Sequence, residues 1–336
     1  MKLLEVSGLN VRFPTEDGVV HAVRDVSFSV DRGEVLGIVG ESGSGKSVTS
    51  MAVMGLLPRS TLIEGSILYD GKELVGLPRK KQTSYRGNEI GMIFQDPMTS
   101  LNPVYSIGWQ LAEAVRAHDD VGRKPAWQRA IELLELVGIP QAKNRVESYP
   151  HEFSGGMRQR VMIAMAMANN PKVLIADEPT TALDVTVQAQ ILETLKEIQD
   201  RTNIAIILIT HDLGVVAGMA DRVMVMYAGS AVENAKVDDL YYQPRMPYTI
   251  GLLGAIPGER SDGRPLQQIK GTTPSLIKMK PGCPFSTRCP LVIDRCRAET
   301  PVLEPIETPD HLVACHRRDE VGQIDVRSLF APEGVS

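Results

Sequence analysis

Gly40-Glu41-Ser42-Gly43-Ser44-Gly45-Lys46-Ser47 fits the spacing G-x-x-x-x-G-K-S of a phosphate-binding loop, and the residues around it decide the fold. An apolar, strand-like run, Val35-Leu36-Gly37-Ile38-Val39, enters the loop, and a helix-like stretch from Val48 to Leu57 leaves it. Glycines let the backbone curl so that successive N–H groups face one concavity, and the following helix adds the positive end of its dipole. Such a loop seats phosphates. Lys46 would then lie along the β- and γ-phosphates while the Ser47 hydroxyl helps hold Mg²⁺. A plain Gly/Ser turn would share the composition, but it would not need both flanks.

The chain has 336 residues, 43% of them hydrophobic, which suits a globular protein of about two domains. Lys and Arg number 36 against 41 Asp and Glu, a net charge of -5, and no long basic stripe is present, so a nucleic-acid partner is not expected. Arg79-Lys80-Lys81 reads as a solvated surface. Glu5 follows Met1-Lys2-Leu3-Leu4 at once, leaving no apolar stretch of signal-peptide length, so export is not expected. The longest apolar runs, such as Ile204 to Ile209, are far short of the ~20 residues that cross a bilayer. A membrane role therefore has to go through a partner.

Leu3 to Phe13 and Val19 to Val30 alternate apolar and polar residues around a turn-rich link and read as antiparallel strands. Asp70-Gly71 predicts a second tight hairpin. Phe13, at a strand end, suits either adenine stacking or core packing. The short strand Ile90 to Phe94 delivers Gln95 into a loop, and from Trp109 to Val137 the apolar period becomes helical, with Gly138 as a C-cap. This helical insertion, about residues 98–168, interrupts an α/β core. Within it Ser154 reads as the N-cap of a helix through Val161 to Ala168.

Val173-Leu174-Ile175-Ala176 is a fully apolar strand ending in Asp177-Glu178, which sets two acids at the carboxyl edge of a parallel sheet, where ligands bind in such folds. Asp177 can reach a Mg²⁺ shell, and Glu178 can stand over an attacking water. Ile204 to Ile209 delivers His211 to the same edge, and Val223 to Tyr227 adds a strand before the Ala228-Gly229-Ser230 turn. After about Asp239 the prolines Pro244, Pro247, Pro257, Pro265, Pro274 and Pro281 break up the apolar pieces, predicting a linker and a small irregular domain over 241–336 behind a nucleotide-binding domain over 1–240. Cys283, Cys289, Cys296 and Cys315 can staple it. In a reducing compartment four clustered thiols suit a metal better than disulfides. None of the gaps is the short C-x₂₋₄-C of a zinc knuckle, although zinc stays open beside an iron–sulfur cluster.

Taken in order, Gly40 to Ser47 (Walker A), Gln95 (Q-loop), Ser154-Gly155-Gly156-Met157-Arg158-Gln159-Arg160 (signature), Asp177-Glu178 (Walker B), Ala182-Leu183-Asp184 (D-loop) and His211 (switch) resemble the ATP-binding subunit of an ABC transporter. Gln95-Asp96-Pro97-Met98-Thr99-Ser100-Leu101-Asn102-Pro103, Asp184 to Gln188, Pro247-Tyr248-Thr249 and the four cysteines narrow the resemblance to the dipeptide/oligopeptide importer ATPases. Phe153 precedes Ser154 where Leu is commoner, and Met157-Arg158 stands where many relatives carry Gln-Gln. Neither change removes the Ser-Gly-Gly cradle.

The resemblance implies an α/β P-loop ABC ATPase core with an antiparallel β subdomain and a helical subdomain, plus a small irregular C-terminal metal-cluster domain. It implies ATP and Mg²⁺ as ligands, the latter on Ser47, Gln95 and Asp177, and a 4Fe-4S cluster on the four cysteines. Phe13, Gly40, Ser42, Gly43, Ser44, Gly45, Lys46 and Ser47 would hold nucleotide from one side, and Ser154, Gly155, Gly156 and Asp184 would close on a partner's. Glu178, His211 and Gln95 would serve hydrolysis. Implied partners are two integral-membrane permease subunits, a second and similar ATPase, and an extracytoplasmic peptide-binding protein, with this chain peripheral on the cytoplasmic face of the cell (inner) membrane. A nickel or other solute importer shares much of the pattern. A non-transport ABC ATPase would need a second cassette or a long coiled coil, and neither is present.

Overall fold

Five short strands bury both of their faces. They are β3 (Val35–Val39), β6 (Ile90–Ile93), β7 (Val173–Asp177), β8 (Ala205–Thr210) and β9 (Arg222–Tyr227), and they read as unbroken apolar runs because neither face meets water. Their alternation is still visible in packing. Val35, Val39, Leu174, Ala176, Ile206 and Leu208 enter one core, while Leu36, Ile38, Val173, Ile175, Ile207 and Ile209 enter the other. This computed structural model describes residues 2–96, 100–181, 183–256, 269–277, 279–324 and 329–330; Pro97, Met98, Thr99, Ala182, Pro257 and Pro265 of the readings above lie outside the described residues.

The second core lies under a four-stranded antiparallel sheet in the order β2-β1-β4-β5, formed by β1 (Lys2–Thr15), β2 (Gly18–Asp31), β4 (Leu62–Tyr69) and β5 (Lys72–Glu73). Asp70 and Gly71 both take positive φ, 46° and 73°, as the tight β4–β5 hairpin requires. Helix α1 (Lys46–Val53) packs here. It stops short of the expected Leu57 because Gly55, at φ 61°, turns the chain left-handed, and the Leu56 N–H returns to the Met51 carbonyl at 2.9 Å. After the surface helix α2 (Arg79–Tyr85), the stretch from Trp109 to Val137 divides into α3 (Ile107–Arg116) and α4 (Arg123–Leu136). The break falls where the apolar period lapses at His118-Asp119-Asp120. Next come α5 (Ala142–Arg145), α6 (Gly155–Ala166) and, beyond β7, α7 (Val185–Thr202), all contributing to the first core.

The main sheet has eight strands in the order β11-β12-β10-β9-β3-β8-β7-β6. β3 pairs in parallel with β8 and β9, and β7 with β8 and β6. β10 (Ser230–Lys236) returns antiparallel through left-handed Ala228 and Gly229, a strand that the polar run Ser230 to Lys236 does not advertise. Beyond α8 (Leu213–Ala217), α9 (Val237–Tyr242) and α10 (Pro247–Gly254), the cysteine-bearing segment holds α11 (Asp294–Ala298), β11 (Glu304–Pro305), β12 (Leu312–Val313) and α12 (Arg318–Val321). Its β12 extends the main sheet by pairing with β10, so the tail is built into the core sheet.

The expected metal cluster in the tail is not supported. Among the described residues no group of three or more His, Cys, Asp and Glu side chains is placed to hold a metal ion. Cys283, Cys289, Cys296 and Cys315 are free and do line one cavity of ≈ 20 Å³ together with Phe285 and Met246. Burial pushes their thiols up, to about 11 for Cys289 and about 12 for Cys315, so as placed they pack as protonated, weakly polar groups.

A fully buried pair ties this segment down. His311 Nε2 lies 2.8 Å from Glu233 Oε1, and the same carboxylate accepts the Arg245 N–H at 2.7 Å and the Met246 N–H at 3.3 Å. Substituting His311→Ala should leave Glu233 short of a partner in the interior and cost about 2–3 kcal/mol. Urea denaturation measures it, and a loss below about 0.5 kcal/mol, the size of a surface substitution, would contradict it.

Candidate functional site

The parallel register sets the site. Val39 stands opposite Thr210, and Asp177 opposite Ile209, so the loops after β3, β7 and β8 leave one edge of the sheet side by side. The loop after β3 is strained into shape by glycine. Gly40, Gly43 and Gly45 take φ of 154°, 78° and 98°, and a Cβ on Gly45 would stand 2.5 Å from the Ala22 carbonyl oxygen. Lys46 is 4% exposed and folds back over the loop, donating to the Gly40 carbonyl at 2.7 Å and the Glu41 carbonyl at 3.0 Å. Burial lowers its pKa, and the charges of Glu178, Asp177 and Glu41 oppose that shift. The cation is thus held ready in an anion seat.

Ser47 donates to Asp177 Oδ1 at 3.0 Å. Burial raises the Asp177 pKa, the Ser47 bond opposes the shift, and the neighbouring Glu178 adds to it. A hydroxyl and a poorly solvated carboxylate in contact are hard oxygen donors of the kind Mg²⁺ takes. Glu178 itself sits at φ 49°, a left-handed conformation that costs about 1–2 kcal/mol for a non-glycine residue. Its N–H is held by the Ile209 carbonyl at 2.8 Å. Its Oε2 accepts from Gln95 Nε2 at 3.0 Å and from Thr181 Oγ1 at 2.9 Å, and His211 Nδ1 stands 3.6 Å away. Three residues from three separate loops therefore converge on one carboxylate oxygen.

The remaining expected residues lie elsewhere. Ser154 accepts the Met157 N–H and caps α6, whose first glycines face α7. A Cβ on Gly155 would meet Leu183, and one on Gly156 would come 2.6 Å from Val187. Asp184 caps α7 through the Val187 N–H. Among the described residues no contact joins Ser154, Gly155 or Gly156 to Lys46 or Asp177, so the chain presents two separate half-sites. Phe13 is half-buried against the second core, which favours neither reading of it. Thr181 was not expected at the site, although its place three residues beyond Glu178 is the one available signal. Arg288 and Tyr248 gave none. Tyr248 Oη accepts the Glu41 N–H at 2.9 Å, and Arg288 pairs with the Glu41 carboxylate from 247 residues away.

The family described as ABC transporter matches residues 23–181, and the one described as Oligopeptide/dipeptide transporter, C-terminal region, matches residues 232–296. The oligopeptide transport ATP-binding protein OppD of Salmonella typhimurium is 52% identical over 315 residues, covering 94% of this chain and 93% of that protein. The dipeptide transport ATP-binding protein DppD of Bacillus subtilis is 51% identical over 321 residues, covering 95% of this chain and 96% of that one. OppD of Mycobacterium tuberculosis is 54% identical over 321 residues, 95% of this chain, yet the chain spans only 52% of that relative's length. Among solved structures, a dimeric ATP-binding cassette in a post-hydrolysis state with ADP and phosphate superposes with a TM-score of 0.62 at 25% identity, over 70% of this chain and 98% of that one.

Replacing Gly45 with Ala forces a Cβ against a backbone carbonyl at positive φ. It should cost about 1–3 kcal/mol and deform the loop, seen as a lower melting temperature together with loss of Mg-ATP binding in titration calorimetry. Unchanged affinity would mean that the loop geometry does not govern the site.

Proposed function

The chain belongs to the ABC transporter family, in the branch of oligopeptide and dipeptide transport ATP-binding proteins, and on that premise we propose that it binds and hydrolyses ATP to power a di- or oligopeptide importer. The observation that carries the proposal is the convergence of Gln95, Thr181 and His211 on Glu178 Oε2, beside the Ser47–Asp177 contact and the buried Lys46. Mg²⁺, held by Ser47 and Asp177 with Gln95 near it, would draw charge from the phosphate oxygens. Lys46 and the N–H groups of Gly43 to Ser47 would fix the phosphates in line for attack. Glu178 would take a proton from water as its oxygen bonds to the γ-phosphorus and the bond to ADP breaks, with His211 at the γ-phosphate.

Ser154 with the N-terminus of α6 makes a second anion seat, facing away from this chain's own Lys46. That supports closure on the nucleotide of a second, similar ATPase, and the dimeric cassette noted above has the same fold. Among the described residues no helix is long and apolar enough to cross a membrane. Membrane permease subunits, with an extracytoplasmic binding protein delivering peptide, would complete the importer, placing this chain on the cytoplasmic face. Glu178→Gln should keep Mg-ATP binding and slow hydrolysis by about 10²-fold or more, the scale of a lost general base. Wild-type turnover by that variant in the assembled complex would refute the assignment.

For the tail, the four thiols around one cavity support a 4Fe-4S cluster, or alternatively zinc, as a staple. As placed they are not gathered at ligand distance, so no step of hydrolysis is assigned to it. Protein purified without oxygen should be brown, with iron and acid-labile sulfide in equal amounts. Colourless protein with one zinc per chain would favour zinc, and metal-free protein would refute both.

A further inference from the structure

Glu41 occupies the second position of the phosphate loop, where a carboxylate is a liability. Its charge already acts on Lys46, whose ammonium also bonds the Glu41 carbonyl, and a nucleoside triphosphate in the same seat would be repelled by it. The tail answers that charge. Arg288 Nη1 donates to Glu41 Oε2 at 2.6 Å and Nη2 to Oε1 at 2.9 Å, a two-pronged pair, and the Arg288 side chain is only 5% exposed.

Arg288 is itself tightly held. Its Nη2 also donates to the Ile269 carbonyl at 3.2 Å, its Nε to the Lys270 carbonyl at 3.2 Å, and its guanidinium lies 5.8 Å from the Tyr227 ring centre and 5.9 Å from that of Phe285. Tyr248, packed against both rings, accepts the Glu41 N–H. The backbone and the side chain of Glu41 are thus both fixed from outside the phosphate loop, by residues more than 200 positions away in sequence.

We propose that Arg288 is a positioning residue for nucleotide binding: by pairing with Glu41 it neutralises the one carboxylate of the phosphate loop and fixes that loop for a triphosphate. The proposal rests on the ATP-binding reading above. A lysine could not reproduce the planar two-pronged pairing, so the role calls for arginine.

Mg-ATP affinity is measured by titration calorimetry on the full chain as wild type, Arg288→Ala, Arg288→Lys, and Arg288→Ala combined with Glu41→Gln, at low and high ionic strength. Arg288→Ala should weaken binding about tenfold and Arg288→Lys by less, with the defect shrinking at high salt as the bared charge is screened. Removing that charge with Glu41→Gln in the Arg288→Ala background should restore affinity to within about threefold of wild type, a rescue that general loosening of the tail would not allow. Arg288→Ala binding like wild type, or the double variant binding as weakly as Arg288→Ala, would overturn the proposal while leaving the ATP-binding reading intact. A wild-type chain that does not bind Mg-ATP would overturn both.

Discussion

The parallel register of β9, β3, β8, β7 and β6 is the constraint on which the rest of the structure depends. Parallel strands all end on the same side, so every loop that follows one must share that edge, and here the loops carry Lys46, Gln95, Asp177, Glu178 and His211. The strands hold register because both faces are dry. Shifting one by a single residue would exchange the sets that enter the two cores, and small residues such as Gly37, whose Cβ would come 2.5 Å from Val216, admit only one seating. Hydrophobic packing thus fixes polar side chains that it never touches. The left-handed strain at Glu178 can persist because Ile209, Gln95 and Thr181 each bind it from a strand or loop already in place.

The tail follows a different rule. It has little regular structure, so it cannot rely on a sheet or helix of its own, and it is held instead by a few buried polar links and one aromatic cluster. Glu233 with His311 joins it to β10, and Arg288 with Glu41 joins it to the phosphate loop. Tyr227, Tyr248 and Phe285 pack edge to face and tilted between those links. In consequence the segment farthest along the chain is mechanically part of the nucleotide site.

Whatever depended on local pattern was legible in the sequence. The glycines of the phosphate loop, the apolar strands ending in Asp177 and Glu178, the Asp70-Gly71 hairpin and the Ser154 cap each announce themselves within a few residues, and each is found where expected. Local breaks were harder. Gly55 ends α1 early, and the polar His118 to Asp120 stretch divides one helical run into two, because a lone glycine or a polar patch weighs little against a sustained period. β10 and the pairing of β12 with it went unseen since neither strand has an apolar alternation to read. Links over hundreds of residues, Arg288 to Glu41 above all, leave no trace in spacing. The cysteines show the converse: their grouping in sequence does bring them to one cavity, yet grouping alone does not set four sulfurs at ligand distance.

The central claim is that the carboxyl edge of the main sheet is the nucleotide site. A rival location exists at the opposite, amino-terminal edge, where Arg32, Glu34, Asp221 and Arg222 line a polar cleft of ≈ 520 Å³. A structure of the full chain with Mg²⁺ and a non-hydrolysable ATP analogue decides between them. The account predicts the triphosphate over Gly43 to Ser47, with Lys46 on its terminal phosphates and the metal between Ser47 and Asp177. Nucleotide bound in the Arg32–Arg222 cleft, or at the carboxyl edge with Lys46 and Asp177 untouched, would contradict it.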